Sequence, residues 1–156
     1  MIKFGGGLIT DKTQLKTIKA QNLDSVCEIM AKILQKGNEI IIVHGAGSFG
    51  HLEAKKWKLA TGYDRNIIED QRKAVKKVRQ DMLELNKIVL DNLEKFGIKS
   101  LSHPPSLWAN GLGSKFNGDI DRFKKNNSNT IHVTFGDVVD VNDKREFGIL
   151  SGDDLM

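Results

Sequence analysis

The feature that most constrains this chain is an apolar run, Ile40-Ile41-Ile42-Val43, that passes without a break into His44-Gly45-Ala46-Gly47-Ser48-Phe49-Gly50-His51. The run reads as a buried strand. Three glycines in six positions then lead into Leu52-Glu53-Ala54-Lys55-Lys56, which reads as a tight turn followed by a helix start. That order of elements offers an anion a row of backbone N–H groups and the positive end of a helix. His51 falls about one helical turn further on, close to whatever the loop holds. A Gly-rich turn taken alone is more often a tight connection than a phosphate site, so the other stretches must decide.

At the N-terminus Met1-Ile2-Lys3-Phe4 reads as a first strand that runs into Gly5-Gly6-Gly7, a second glycine turn bracketed by Lys3 and Lys12. Between the two turns Leu23, Val26, Cys27, Met30, Ile33 and Leu34 recur at three- and four-residue spacings. This predicts an amphipathic helix with Asn22 or Asp24 near its cap and Gly37 at its end, followed by a strand over residues 39–43. Strand, helix and strand form a right-handed crossover unit with parallel strands. Both glycine turns then leave the C-terminal ends of neighbouring strands, the edge where open α/β sheets bind ligands.

Further along, Val75, Val78, Met82, Leu85, Val89, Leu93 and Phe96 predict a long helix over residues 67–96 that Gly97 stops. At about 1.5 Å per residue it spans roughly 45 Å. Residues 98–102 read as a third strand closed by Pro104-Pro105, and residues 111–119 as a glycine-rich surface hairpin. A short helix is expected over 120–126, a strand over 130–135, and a final hairpin from Val138-Val139-Asp140-Val141 through Asn142-Asp143-Lys144 to Phe147-Gly148-Ile149-Leu150. The chain closes on Ser151-Gly152-Asp153-Asp154, which has the Ser-x-x-Asp pattern of a helix N-cap with acidic residues where the helix dipole favours them. Only Leu155 and Met156 follow, so the sequence is expected to continue elsewhere.

Composition excludes several classes. With 156 residues, 39% hydrophobic and 28% charged, the chain can bury a core and carries no disordered tract. Its apolar runs are too short to span a membrane, and its first residues form a strand rather than a signal peptide, so a cytoplasmic protein with no membrane partner is expected. The net charge of +4 is partly gathered at Arg72, Lys73, Lys76, Lys77 and Arg79. No stacking aromatics interleave with them, so they read as a solvated helix face and no nucleic-acid partner is expected. Cys27, the one cysteine, sits at an apolar helix position and reads as a buried thiol.

Lys3-Phe4-Gly5-Gly6-Gly7 with Thr10-Asp11-Lys12, then the His44 to His51 loop, then Gly136-Asp137-Val138, then Ser151-Gly152-Asp153-Asp154 come in the order of the amino acid kinase superfamily. The chain resembles that superfamily along all 156 residues, and within it the isopentenyl phosphate kinase branch, which His51 at the end of the second loop marks together with the fosfomycin kinases. Two positions depart from the pattern: Gly7 stands where a serine is usual, and Ala46 where a glycine is commoner. Ala46 is tolerable if its φ is negative and its N–H still faces the ligand.

The resemblance implies an α/β fold: a three-layer αβα sandwich with a mainly parallel central sheet plus a β-hairpin region, the C-terminal part missing. Residues 1–156 would then be the N-terminal, phosphate-acceptor-binding part of an amino acid kinase domain, with most of the nucleotide pocket outside it. The implied activity is transfer of the γ-phosphoryl of ATP to isopentenyl phosphate, for isoprenoid biosynthesis. Lys3 would lie by the transferred phosphoryl with Lys12 as a second cation, and Gly5, Gly6, Gly7 and Gly47 would face ATP. Ala46 and Gly152 would present N–H groups to isopentenyl phosphate, and His51 would hydrogen-bond its phosphate. Val75, Val78 and Met82 on the long helix are candidates for the wall of the isoprenoid slot. Mg²⁺ would arrive with ATP, and no metal ligand is assigned. The full-length protein would be a homodimer, and the 156-residue chain alone is expected to be inactive. The alternatives are a kinase for fosfomycin, acetylglutamate, carbamate or uridylate, and a non-catalytic phosphate-binding or oligomerising module.

Overall fold

The computed structural model describes residues 1–124 and 130–156. From the N-terminus, β1 (Ile2–Phe4) passes into a single helical turn, α1 (Gly6–Ile9), and then a hairpin of β2 (Thr10–Asp11) and β3 (Thr17–Ile18). The glycine stretch expected as a plain turn is thus the start of a helix. Leu8 and Ile9 donate their N–H groups to Gly5 O at 2.8 and 3.3 Å, and Ile9 is drawn fully into the core.

Next, α2 (Ala20–Leu34) buries Leu23, Cys27 and Met30. Its N-cap is Lys19 rather than Asn22 or Asp24, because Asn22 is already inside the helix and donates to Leu8 O at 2.9 Å. Burial raises the pKa of the Cys27 thiol, which keeps it protonated. The chain continues through β4 (Ile41–His44), α3 (Gly47–Lys56) and the 28-residue α4 (Ile68–Lys95). The stripe from Val75 to Leu93 on α4 is buried as the spacing predicts, each large apolar side chain contributing about 1.5–3 kcal/mol. Its basic residues are largely paired: Arg72 with Glu69 and Glu146, Lys73 with Asp70, Lys77 with Asp81, and Arg79 with Asp140.

After β5 (Lys99–Ser102), β6 (Ala109–Asn110) and β7 (Asn117–Gly118) form the expected hairpin. The short helix expected over 120–126 is a 3₁₀ turn at Ile120–Phe123, and positions 125 and 126 lie outside the described residues. The chain then runs through β8 (Thr130–Phe135), β9 (Asp137–Asp140) and β10 (Phe147–Leu150), the last two antiparallel.

The central sheet is parallel throughout, in the order β1-β4-β8-β5, and a second sheet has the order β10-β9-β6-β7. This is the expected α/β class with a parallel central sheet and hairpins beside it. Phe4, Ile42, Ile131, Val133 and Phe135 point from one face into a core shared with α2 and α4. Val43 points from the opposite face into a smaller cluster with Ala109, Val139, Leu150 and Leu155. Among the described residues no helix is long and apolar enough to cross a membrane.

Candidate functional site

Parallel register brings the glycine turns together. Phe4 pairs with His44 and His44 with Phe135, so three strands end level and release their chains at one edge. Gly45 donates its N–H to Phe4 O, and Gly136 donates its N–H to His44 O, both at 3.0 Å. The first two turns touch backbone to backbone: a Cβ on Gly45 would lie 2.8 Å from Gly6 N, and one on Gly6 would lie 2.7 Å from Gly47 Cα. Only glycine fits these positions. Gly47 also has φ +50, a conformation glycine adopts at no steric cost.

These turns open onto a cavity of about 410 Å³. It is lined by Lys3, Gly5, Gly6, Gly7, Lys12, Ala46, Gly47, His51 and Gly152, together with the apolar side chains of Ala54, Val78, Met82, Val138 and Ile149. Thus residues separated by most of the sequence share one space. Val75 does not line it. One turn before Val78, it sits about 4.5 Å nearer the N-terminus of α4 and packs in the core instead. Ala46 has φ −68, so the replacement of glycine there costs no backbone strain. Gly7 has a counterpart in Lys12, whose Cε would lie 3.0 Å from any Cβ at that position, so the lysine stem occupies the room a side chain would need.

The charges are arranged around the turns. Lys3 extends from β1 to an ion pair with Asp153, which follows Gly152. A Cβ on Gly152 would lie 3.8 Å from Lys3 Cε, so the lysine stem runs beside this glycine. Ser151 and Asp154 cap each other: Ser151 N–H donates to Asp154 Oδ2 at 2.8 Å, and Asp154 N–H donates to Ser151 Oγ at 3.1 Å. Asp137 is buried where the third turn leaves β8. Loss of water raises its pKa, although it accepts from Val138 N–H at 2.8 Å and Ser106 N–H at 3.3 Å. His44, at the foot of the second turn, is fully buried, with its ring nitrogens 3.3 Å from Gly45 O and Asn86 Oδ1. Burial drives its pKa down to about 4, so its ring is neutral at physiological pH.

Several residues of the site carried no signal of their role. Asp153 reads in the sequence as a helix-start acid, and its pairing with Lys3 joins the two ends of the chain. Asp137 follows Gly136 at a strand end, but only the fold shows that it faces the cavity. Gly50 lets α3 lie close against α4, since a Cβ there would lie 3.0 Å from Met82 Sδ. Among the described residues no group of three His, Cys, Asp or Glu side chains is placed to hold a metal ion.

Adjoining backbone turns at the C-terminal edge of a parallel sheet, with lysines and a histidine around them, place this chain among the open-sheet α/β proteins whose ligand crevice lies at that edge. The whole chain, residues 1–156, matches the model of the amino acid kinase family, and the chain belongs to that family. It is 31% identical over its entire length to isopentenyl phosphate kinase of Methanocaldococcus jannaschii, of which it covers 62%. It is 29% identical to the enzyme of Thermoplasma acidophilum and covers 59% of that protein. An X-ray structure of isopentenyl phosphate kinase superposes with a TM-score of 0.89 at 28% identity, covering 99% of this chain and 63% of the other. The product complex of the T. acidophilum enzyme superposes with a TM-score of 0.83 at the same identity. The chain therefore spans about three-fifths of the length of these relatives.

Proposed function

We propose that this chain forms the phosphate-acceptor side of a kinase that transfers the γ-phosphoryl of ATP to isopentenyl phosphate, giving the diphosphate used in isoprenoid biosynthesis. The observation that carries the reading is the mixed lining of one cavity: glycine turns, Lys3, Lys12 and His51 share it with the apolar side chains of Val78, Met82, Val138 and Ile149. An acceptor with a phosphate and a short hydrocarbon tail matches both. Residues 1–156 would be the N-terminal part of the kinase domain, and the rest of the nucleotide pocket would be supplied by further sequence. The 62% share of the M. jannaschii relative supports this.

In this reading an oxygen of the acceptor phosphate attacks the γ-phosphorus while the bond to the β,γ-bridging oxygen breaks, and ADP departs. Two polyanions must be brought into line and their charge offset, a task of positioning and electrostatics. Ala46 and Gly152 would present N–H groups to the acceptor, and His51 would donate to its phosphate. Gly5, Gly6, Gly7 and Gly47 would face the nucleotide phosphates. Lys3 would neutralise the transferred group, with Lys12 beside it. Mg²⁺ would enter bound to the phosphates of ATP, as it commonly does. A homodimer in the cytoplasm fits this role.

The test is a phosphotransfer assay of the full-length gene product across isopentenyl phosphate, dimethylallyl phosphate, fosfomycin, acetylglutamate, carbamate and uridylate. Preference for isopentenyl phosphate supports the proposal, and preference for one of the acceptors without an isoprenoid tail overturns it. The 156-residue chain, assayed alone, should form no diphosphate. ATP-dependent product from it would overturn the assignment of the nucleotide pocket to further sequence.

A further inference from the structure

We propose that Thr10 is a positioning residue that fixes the separation of the two glycine turns, and with it the distance between the two phosphates the site holds. This rests on the reading of the cavity as a two-phosphate site. Thr10 is fully buried at the start of β2 and is not among the residues lining the cavity, so it would act through the turns rather than on a ligand.

Its hydroxyl joins them directly. Thr10 Oγ1 donates to Gly6 O at 2.7 Å and accepts the N–H of Ser48 at 3.0 Å. A hydroxyl carries one hydrogen and two lone pairs, so it satisfies both turns only from a place between them. The methyl group completes the contact, since a Cβ on Gly47 would lie 2.8 Å from Thr10 Cγ2. The rest of the hairpin holds Ser48 from the other side: Lys16 N–H donates to Ser48 O at 3.3 Å and Thr17 N–H to Ser48 Oγ at 3.2 Å. Lys16 in turn bridges to Asp81 at 2.8 Å and to Glu84 at 2.5 Å on α4, which anchors the hairpin to the long helix. The hairpin is therefore a brace, and Thr10 is its contact with both turns. A reacting pair misplaced by 1 Å loses about 100-fold in rate, so a brace of this kind bears directly on transfer.

The test compares Thr10→Val, which keeps size and branching but loses the hydroxyl, with Thr10→Ser, which keeps the hydroxyl. Inorganic tripolyphosphate, with three linked phosphates to offer to the two turns, and orthophosphate, with one, are titrated calorimetrically into the full chain. Thr10→Val should weaken tripolyphosphate by about tenfold, the size of one lost hydrogen bond, while orthophosphate changes by less than about twofold. Thr10→Ser should stay within about threefold of the parent for both. Unaltered tripolyphosphate binding in Thr10→Val, equal losses in both variants, equal losses of both anions, or no binding of tripolyphosphate by the parent would each overturn the proposal. Independently of any variant, the Ser48 amide should exchange as slowly as the amides of β4, and fast exchange would overturn it too. Because neither probe is an isoprenoid, failure of the acceptor assignment shows separately, as absent turnover of isopentenyl phosphate.

Discussion

Gly6 and Gly47 meet backbone to backbone: a Cβ added to Gly6 would lie 2.7 Å from Gly47 Cα, with no flexible side chain between them to give way. Gly5, its neighbour, has φ −57 and open space, the nearest atom to a Cβ there being Leu8 Cβ at 4.0 Å. Gly5→Ala should therefore change stability by less than about 0.5 kcal/mol, whereas Gly6→Ala should cost about 2–4 kcal/mol and separate the turns. Thermal melts of the two variants check this, and equal melting temperatures would contradict the contact.

Lys3 and Asp153 make a second link across the same edge. The Asp153 side chain is 81% exposed, so Asp153→Asn should lower stability by no more than about 1 kcal/mol. If Lys3 offsets charge on the transferred phosphoryl, Lys3→Met should cut turnover of isopentenyl phosphate by about 10²–10³ with the melting temperature little changed. Asp153→Asn, which only loosens the ammonium, should cost about tenfold or less. Steady-state rates in the full-length protein decide it, and a Lys3→Met rate within about threefold of the parent would remove Lys3 from the mechanism.

Acid should destabilise the fold through His44. Its ordinary value of 6.5 falls to about 4 in the folded protein because the ring is buried, although bonds to Gly45 O and Asn86 pull it back up. Between these values the unfolded chain holds a proton that the folded chain does not. Stability is therefore complete above about pH 6.5 and falls toward pH 4 by at most about 1.4 kcal/mol per unit from this residue. His103, also lowered to about 4 by burial first and by His132 and Arg122 next, acts with the same sign. Asp137, raised by burial, takes up a proton first in the folded state and offsets part of the loss at the acid end. Melting temperatures should drop from pH 7 to 5, and His44→Asn should flatten that slope. An unchanged slope in the variant would show that His44 does not titrate in this way.

The sequence made the strand-to-turn junctions legible because they depend on local signals: an apolar run, then glycines. The long helix was legible for the same reason, its period persisting from Val75 to Leu93. What escaped was set by contacts far apart in the chain. Nothing near Thr130 says that β8 inserts between β4 and β5, yet this places Gly136 and Asp137 beside the turns. Gly5-Gly6-Gly7 looked like a turn since glycine disfavours helix, and burial of Ile9 overrides that preference. Val75 and Val78 share one apolar stripe and one core, and only the level at which the cavity meets α4 makes Val78 line it as well. Thr10 could not be singled out, because its partner Ser48 belongs to the other turn.

The acceptor role of the second glycine turn rests above all on His51. It is exposed on α3 and lines the cavity, so His51→Ala should leave the fold intact. The measurement is the rate of ATP-dependent diphosphate formation from isopentenyl phosphate by the full-length protein with and without this substitution. A fall of about 10²–10³ in turnover at an unchanged melting temperature is expected. A variant that keeps a near-parental rate would contradict it.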